Sequence, residues 1–380
     1  MIKQFIVENY KNFGAPLVIN FDAIGGYQFN KECLCEDSIG KMLVYGRNGT
    51  GKTNLGHAIM DIALAPGFLI RNDKSNFLNA DNENDFASFS YTFQFGKDTI
   101  IYKYEKTSYA NYKSEILFLN DIEVFNFDYI NDLYDIANLK AISAETIVLD
   151  RFIESKKEIP MEDTNTETSL SFLRWIFSNV PFPNESPISE MRNYIAKMRI
   201  VSTSMYFPMF LKNDSFIDSL DDDNLTKFET FLNEMGVECK LQVKELPDGQ
   251  KELYFKHKKL VPFFENASSG TLVLYNLYRR IVSTTRAMSF CFFDEFDALF
   301  HYEMSERFLN YFKQNYPQCQ IIFTTHNTNL MSNDVMRPDC LFILSQKGVI
   351  TPLNKATTRE LREGHNLEKM YISGEFDKYE

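Results

Sequence analysis

A run of glycines and polar residues between an apolar stretch and a helix-like stretch constrains this 380-residue chain more than any other feature. It reads VYGRNGTGKTNL, residues 44–55. The apolar KMLVYG comes before it, and TNLGHAIMDIALA (53–65), with apolar residues at helical spacing, comes after it. A glycine turn before a capped helix would explain the glycines. It would not explain a lysine and a hydroxyl residue at fixed positions behind them.

The spacing of this run matches G-x-x-x-x-G-K-[ST], the P-loop. Glycines let backbone N–H groups turn towards phosphate oxygens, and the positive end of the following helix adds to the attraction. Lys52 would reach the β- and γ-phosphates of ATP, and the Thr53 hydroxyl would bind Mg²⁺. The predicted nucleotide-binding residues of this loop are Gly46, Arg47, Asn48, Gly49, Thr50, Gly51, Lys52, Thr53 and Asn54.

A P-loop needs acidic residues at the end of a second strand, and MSFCFFDEFDALFH (288–301) supplies them. Four apolar residues directly precede Asp294 and Glu295, which favours a buried strand end over an exposed acidic turn. We predict that Asp294 binds Mg²⁺ and that Glu295 is the general base.

A third apolar stretch, QIIFTTHNTNLM (320–331), ends its strand-like part at His326. A lone histidine after a strand is more often structural. Behind a P-loop and an acidic pair, His326 is better placed to hydrogen-bond a γ-phosphate. The predicted catalytic residues are therefore Lys52, Glu295 and His326.

A second helix start lies in ENASSGTLVLYNLYRR (265–280), where Ser268, Ser269 and Gly270 precede an apolar helical pattern. The plain interpretation is a helix N-cap. The alternative is a second phosphate-binding helix start. One chain cannot easily close both helix starts on one nucleotide, but a head-to-tail partner can, so these three residues are predicted to bind nucleotide across an interface.

Strand and helix patterns alternate in the first and last thirds of the chain, which predicts an α/β fold. We expect a mixed β-sheet flanked by helices, an antiparallel β subdomain and a mainly helical insertion. The predicted parts are 1–128 with the P-loop, 129–240 as the insertion for sensing or dimerisation, and 241–380 with the acidic pair and His326.

The net charge of −12 argues against broad attraction to nucleic acid, although a local basic groove stays open. The basic KELYFKHKKL (251–260) is interpreted as a solvated strand face. No stretch approaches about 20 uninterrupted apolar residues, so no membrane span is expected. The start lacks the apolar core of a signal peptide, so reduced cysteines in a cytoplasm are the expectation.

The four motifs, in this order, resemble ATP-binding-cassette (ABC) ATPases. They are most similar to the soluble branch that includes the SMC, RecF and Rad-type repair heads. FIVENYKNF, SSGT, DEFDALFH, TTHNTNLM and NLEKMYISGEFD (366–377) narrow the resemblance to the AAA ATPases of the OLD-like and abortive-infection group. That group includes the ATPase subunit of the PARIS phage-defence system and RloA/AbiL-type proteins. The resemblance covers about 1–125 and 200–377.

The resemblance implies a role for each motif. The P-loop would be Walker A, Asp294 and Glu295 would be Walker B, and Ser268–Gly270 would be the signature acting in trans. Asp297 would lie in the D-loop, and His326 would be the switch histidine. No Q-loop glutamine is evident, since Gln94 fits by position only and a strand surface is favoured for it. Lys11 and Asn12 are further candidates near the nucleotide.

The resemblance also implies a function: an ATP-gated sensor or scaffold of a prokaryotic anti-phage system. The expected assembly is a homo-oligomer, a dimer or a ring of dimers. The insertion is too short for a long coiled coil, and no TOPRIM nuclease domain is evident. The effector is therefore expected to be a separate TOPRIM-type nuclease, and the trigger a phage protein.

Three alternatives stay open. A RecF-like repair ATPase would bind DNA directly, against which the net charge counts. A transporter subunit would carry its signature much closer to the P-loop than Gly270 lies to Lys52. A nucleotide-binding module with little turnover is the third.

Overall fold

The computed structural model describes residues 1–63, 76–157, 170–202, 215–282 and 288–380. Within these residues, a six-stranded mixed sheet forms the centre of the fold. Its strands pair in parallel, except for the antiparallel pair at one edge. In spatial order they are Met198–Ser202, Phe290–Asp294, Gln320–Thr325, Lys41–Tyr45, Leu341–Leu344 and Ile350–Pro352.

The three strands at the middle of this sheet end at one edge, because they run parallel. Thr325 pairs with Tyr45, and Phe293 pairs with Phe323. Every residue of these three strands is buried. Burial on both faces explains why their sequences are continuous apolar runs rather than alternating ones. The residues that follow each strand are thereby brought to a common edge.

A larger antiparallel sheet accounts for most of the remaining strands in the described part of the chain. Along Ala87–Phe95 buried and partly exposed residues alternate, as expected for a sheet with one face on the core. A tight turn at residues 96–97 joins this strand to Asp98–Lys106, since Phe95 pairs with Asp98. In spatial order the strands are Leu133–Asp135, Ile122–Asp128, Tyr112–Leu119, Asp98–Lys106, Ala87–Phe95, Ile2–Glu8 and Leu17–Asn20.

Two small antiparallel sheets complete the strands of the described ranges. One consists of Leu241–Glu245, Lys251–Lys256 and Leu260–Pro262, and its first turn contains the sequence Pro-Asp-Gly. The other consists of Leu34–Cys35 and Ser38–Ile39.

The helix predicted for 53–65 spans Lys52–Met60, and positions 64 and 65 lie outside the described residues. Among the described residues, no helix combines the length and the apolar character that crossing a bilayer requires. The helices are Lys52–Met60, Leu149–Lys157, Phe172–Asn179, Pro187–Ala196, Ser215–Asp218, Asp222–Glu234, Phe263–Asn266, Ser269–Leu277, Tyr302–Asn315 and Leu367–Ile372.

The helix Lys52–Met60 lies between the mixed sheet and the larger antiparallel sheet. On one side, a Cβ added to Gly56 would lie 2.5 Å from the ring of Phe292, so only glycine allows this approach. On the other side, the Tyr91 hydroxyl donates to the carbonyl of Ala58 over 2.9 Å. Contacts on both sides fix the helix that follows the P-loop.

The predicted α/β architecture, with a mixed sheet, flanking helices and an antiparallel sheet, is confirmed. Within 129–240 the described residues are mainly helical, but Met198–Ser202 is an edge strand of the mixed sheet. Five residues directly after a helix carry too short a pattern to reveal this strand. The division into three parts stays a prediction.

Candidate functional site

The P-loop connects the strand Lys41–Tyr45 to the helix Lys52–Met60. Gly49 and Gly51 have φ of +82° and +99°, a region that favours glycine. A Cβ at Gly51 would also lie 2.9 Å from Cβ of Asn12. The loop therefore depends on glycine for its conformation and for the close approach of the N-terminal segment.

The side chain of Lys52 is held over the P-loop by backbone carbonyl groups of the loop. Its Nζ donates to the carbonyl oxygens of Gly46 over 2.8 Å and Arg47 over 3.2 Å, and it lies 3.4 Å from Nδ1 of His326. Burial lowers the pKa of Lys52, and nearby carboxylates partly offset this effect. The ammonium group is therefore poorly solvated, which strengthens its attraction to an anion.

Asp294 ends the strand Phe290–Asp294 and is 4% exposed. Its Oδ2 accepts a hydrogen bond from Thr53 Oγ1 over 2.8 Å, and its Oδ1 accepts one from Thr324 Oγ1 over 3.0 Å. Burial raises the pKa of Asp294, and the two hydroxyl donors lower it in part. The structure thus brings together the hydroxyl and the carboxylate that were predicted to share a metal.

Glu295 adopts a left-handed backbone with φ of +49°, although it is not glycine. Its N–H donates to Thr324 Oγ1 over 2.8 Å, and its Oε1 lies 3.3 Å from His326 Nε2. Non-glycine residues in this region cluster at functional sites, where the surroundings hold them. This backbone conformation directs the Glu295 carboxylate towards His326 and away from the buried side chains of the strand Phe290–Asp294.

Lys52, Glu295 and His326 line one cavity of about 260 Å³, which Thr53 also lines; Asp294 is not a lining residue and contacts Thr53 behind it. Asn12 belongs to it: its Nδ2 donates to the Gly49 carbonyl over 3.3 Å, and its Oδ1 accepts from Nδ2 of Asn54. The lining residues are Asn12, Asn48, Gly49, Gly51, Lys52, Thr53, Asn54, Glu295 and His326.

The remaining predicted loop residues do not line this cavity. The guanidinium of Arg47 is 65% exposed and pairs with the carboxylate of Glu380. Thr50 is buried, and its Oγ1 donates to the Arg47 carbonyl over 3.0 Å. A Cβ at Gly46 would lie 2.9 Å from the Leu344 carbonyl oxygen. Gly46 therefore allows the backbone after the P-loop strand to approach the end of the neighbouring strand Leu341–Leu344.

The predicted signature residues lie elsewhere in the chain's own structure. Ser268 caps the helix Ser269–Leu277, and its Oγ accepts from the N–H of Thr271 over 3.1 Å. Ser268 and Ser269 are exposed, whereas Gly270 is buried near the carbonyl of Leu299. The N-cap expectation is therefore met, and none of the three residues lines the cavity.

Of the other sequence candidates, Asp297 lies near His326, whereas Gln94 and Lys11 do not line the cavity. Asp297 accepts a hydrogen bond over 2.7 Å from Oγ1 of Thr325, the residue directly before His326. Gln94 lies at a hairpin end of the larger antiparallel sheet, where its side chain bonds Gly96 and Thr99. Lys11 is not a lining residue, and its Nζ lies over the Tyr109 ring.

Sequence reasoning missed the role of two threonines. Thr324 links Asp294 to the backbone of Glu295, and Thr325 holds Asp297. Both are fully buried at the end of an otherwise apolar strand. Two adjacent hydroxyl residues at the end of such a strand were the available signal, because buried hydroxyls require hydrogen-bond partners.

The donor set suits a small, hard cation next to phosphate. Thr53 and Asp294 offer a hydroxyl and a carboxylate oxygen, the ligands that Mg²⁺ takes together with water and phosphate oxygens. In the described residues no cluster of three or more His, Cys, Asp or Glu could hold a metal alone. A cation here would therefore depend on the bound phosphates for further ligands.

Three of the solved structures that are similar to this chain are SMC heads. An SMC head domain from Thermotoga maritima is 16% identical, with a TM-score of 0.44, over 92% of this chain and 98% of that chain. An SMC head bound to the C-terminal winged-helix domain of ScpA is 17% identical, with a TM-score of 0.47, over 93% and 98%. An SMC head with an extended coiled coil, bound to a ScpA domain from Pyrococcus furiosus, is 15% identical, with a TM-score of 0.44, over 93% and 97%.

No curated protein sequence matches the chain. A family profile matches residues 41–332, a range that begins at the P-loop strand and includes Asp294, Glu295 and His326. That match spans well over half of the 380 residues. The chain belongs to the family described as "AAA domain, putative AbiEii toxin, Type IV TA system".

Proposed function

We propose that this protein binds ATP with Mg²⁺ and hydrolyses it to ADP and phosphate. The hydrogen bond between Thr53 and Asp294 carries the proposal, because it joins the P-loop to a buried acidic strand end. Lys52, Glu295 and His326 line the same cavity. The groups that would bind phosphate and accept a proton therefore line a single cavity, together with Thr53, whose hydroxyl contacts Asp294.

Binding relies on the loop and its lysine. The N-terminal end of the helix Lys52–Met60 and the backbone N–H groups of the loop attract phosphate oxygens. Lys52 is already positioned by two loop carbonyls, and it would exchange one of them for β- and γ-phosphate oxygens. Thr53 and Asp294 would hold Mg²⁺, which supplies charge neutralisation to the phosphates when bound.

Hydrolysis needs a water whose oxygen bonds to the γ-phosphorus as the bond to the β–γ bridging oxygen breaks. Glu295 would accept the proton of that water, since its carboxylate is partly exposed at the cavity. His326 lies within 3.4 Å of both Lys52 and Glu295 atoms. It would hydrogen-bond the γ-phosphate and hold the Glu295 carboxylate in position.

A second copy would complete the site. Ser268 and Ser269 are exposed at a helix N-terminus but do not line the cavity of their own chain. A head-to-tail dimer would place them against the γ-phosphate of the partner's nucleotide. ATP binding would then close the dimer and hydrolysis would reopen it.

The biological role that we propose is an ATP-gated sensor or scaffold in prokaryotic anti-phage defence, acting in the cytoplasm. The family description, which names an AbiEii toxin and a toxin–antitoxin system, supports this role. The effector would be a separate nuclease of the TOPRIM type, and the trigger a phage protein. Co-purification of the chain with such a nuclease, and its release on addition of the trigger, tests this part.

The enzymatic part is tested with Glu295→Gln. This variant keeps the shape of the side chain but loses the base, so phosphate release should fall by about 100-fold or more. ATP binding should persist, and the dimer should accumulate with ATP and Mg²⁺. Glu303→Gln, an exposed change at the start of the helix Tyr302–Asn315, is the matched control. Equal turnover in both variants would overturn the proposal.

A further inference from the structure

The small three-stranded sheet carries a cluster of lysines at one end. Lys256 ends the strand Lys251–Lys256, and its N–H donates to the carbonyl of Lys240 over 2.7 Å, so these two residues are adjacent across strands. Lys258 and Lys259 lie in the turn that follows. All four side chains are exposed. We call residues 251–262 together with Lys240 the basic hairpin.

The arrangement differs from the solvated strand face that the sequence indicated. On one face of a strand, the lysines would be spread along the strand. Here Lys256, Lys258 and Lys259 lie close together at the turn between two strands. Among the described residues, none of the four lysines has a carboxylate within 4 Å in an ion pair. A local positive charge without intramolecular neutralisation is unusual in a chain of net charge −12.

The chemistry of this surface favours a phosphate backbone over an acidic protein. Its exposed positions carry lysine and His257 but no arginine and no exposed aromatic residue. Protein interfaces are depleted in lysine and enriched in aromatics and arginine. Single-strand binders use aromatic side chains on which bases stack. Lysines alone make sequence-independent contacts to phosphates, which suits a duplex.

The basic hairpin is also connected to the signature helix, Ser269–Leu277, through one buried ring, that of Phe263. The ring of Phe255 lies 4.8 Å from that of Phe263, which lies 5.9 Å from that of Tyr275 in this helix. Phe263 and Tyr275 are fully buried. The chain then runs from the hairpin through Phe263–Asn266 to the cap Ser268. The rings therefore couple the hairpin to Tyr275, near the C-terminal end of the helix, and the chain segment Phe263–Asn266 couples it to the cap at the start.

We infer that the basic hairpin binds the sugar–phosphate backbone of duplex nucleic acid, and that a bound duplex acts on the signature helix and so on ATP turnover. The second half of this inference rests on the proposed ATPase function, whereas the binding surface does not. The net negative charge elsewhere limits contact to this end of the small sheet, so binding is weak at physiological salt and independent of sequence.

The test uses the full chain and a short fluorescein-labelled DNA duplex of mixed sequence, followed by anisotropy from about 50 to 200 mM salt. With one phosphate per lysine, the slope of log affinity against log salt should be about −3.6. K256E/K258E/K259E should bind at least about tenfold more weakly and lose most of that slope. K97E/K140E/K347E changes the net charge equally at exposed lysines elsewhere and should bind as the parent does.

Each outcome decides the inference. Equal loss in both triple variants, or tighter binding to the single strand than to the duplex, overturns it. Binding of poly-glutamate but not of the duplex also overturns it and assigns the surface to an acidic protein. Basal phosphate release is measured on the same samples without DNA, so a failed ATPase is distinguished from a failed duplex site. Duplex should change the parent's turnover at least about twofold, and that of the hairpin variant not at all.

Discussion

Thr53 and Asp294 are 241 positions apart in the chain, yet Thr53 Oγ1 donates to Asp294 Oδ2 over 2.8 Å. Thr53 lies in the first turn of the helix Lys52–Met60, and Asp294 ends a strand that lies two places from the P-loop strand Lys41–Tyr45 in the mixed sheet. Their contact holds together the two oxygens that we propose as Mg²⁺ ligands. Such preorganisation reduces the cost of forming the site when nucleotide binds.

Replacing Thr53 by valine should therefore raise the Mg²⁺ concentration needed for half-maximal turnover by roughly tenfold or more. Valine keeps the shape of the side chain but removes the oxygen, whereas Thr53→Ser keeps it and should stay close to the parent. The measurement is phosphate release against Mg²⁺ concentration at saturating ATP. An identical Mg²⁺ dependence for the valine and serine variants would exclude Thr53 as a ligand.

Lys52→Ala should lower ATP affinity and reduce turnover by about 100-fold, because one buried cation facing the phosphates is lost. Lys41→Met is the matched control: Lys41 is a buried lysine at the start of the strand that leads into the P-loop, and its Nζ donates to the carbonyl of Cys319 over 3.0 Å. It should lose stability but keep nucleotide affinity. Binding of a fluorescent ATP analogue, together with thermal melting, separates the two effects.

Mixing two inactive variants tests whether the signature acts across an interface. In a heterodimer of Lys52→Ala with Ser269→Arg, one of the two sites retains an intact P-loop and an intact signature. We expect turnover to reappear on mixing, up to about half of the parent per heterodimer. Ser269 is exposed, so arginine there should be tolerated by the fold. If the mixture stays as inactive as its components, the signature does not act in trans.

Glu115 gives a prediction about stability away from the candidate site. It is fully buried and accepts hydrogen bonds from the hydroxyls of Tyr102 (2.7 Å) and Tyr129 and from the N–H groups of Phe172 and Leu173 (3.3 Å). Burial raises its pKa above the ordinary 4.5, and the four donors partly offset this. In Glu115→Gln, an NH₂ group takes the place of one carboxylate oxygen and faces hydrogen-bond donors. The change should lower the free energy of unfolding by about 1–3 kcal/mol.

The difference in unfolding free energy between the parent and Glu115→Gln should change with pH in a definite direction. The folded state holds the Glu115 proton more tightly than the unfolded chain does. Its contribution to stability is full below the unfolded pKa and is lost as pH rises through the folded pKa. Denaturant unfolding of parent and variant should therefore show a gap that narrows with rising pH above 4.5. A gap that widens instead would show that the ionised carboxylate is the preferred folded form.

Several residues that line the candidate cavity were accessible from the sequence because they belong to short, contiguous motifs. Lys52 and Thr53 follow glycines at a spacing that the phosphate geometry requires, and Asp294 and Glu295 directly follow an apolar run. The surroundings of these motifs were less accessible. The bridging role of Thr324 depends on which strand lies beside Phe290–Asp294, and the pairing of Arg47 with Glu380 joins residues 333 positions apart.

The sequence by itself determined which chemical groups are present, the α/β class, and that each group follows a buried strand or starts a helix. Only the tertiary structure decided that Gln320–Thr325 lies between the acidic strand and the P-loop strand, that Met198–Ser202 joins the same sheet, and that lysines gather at a turn. The physical reason is that local patterns record burial and period, whereas the order of strands is set by packing between distant segments.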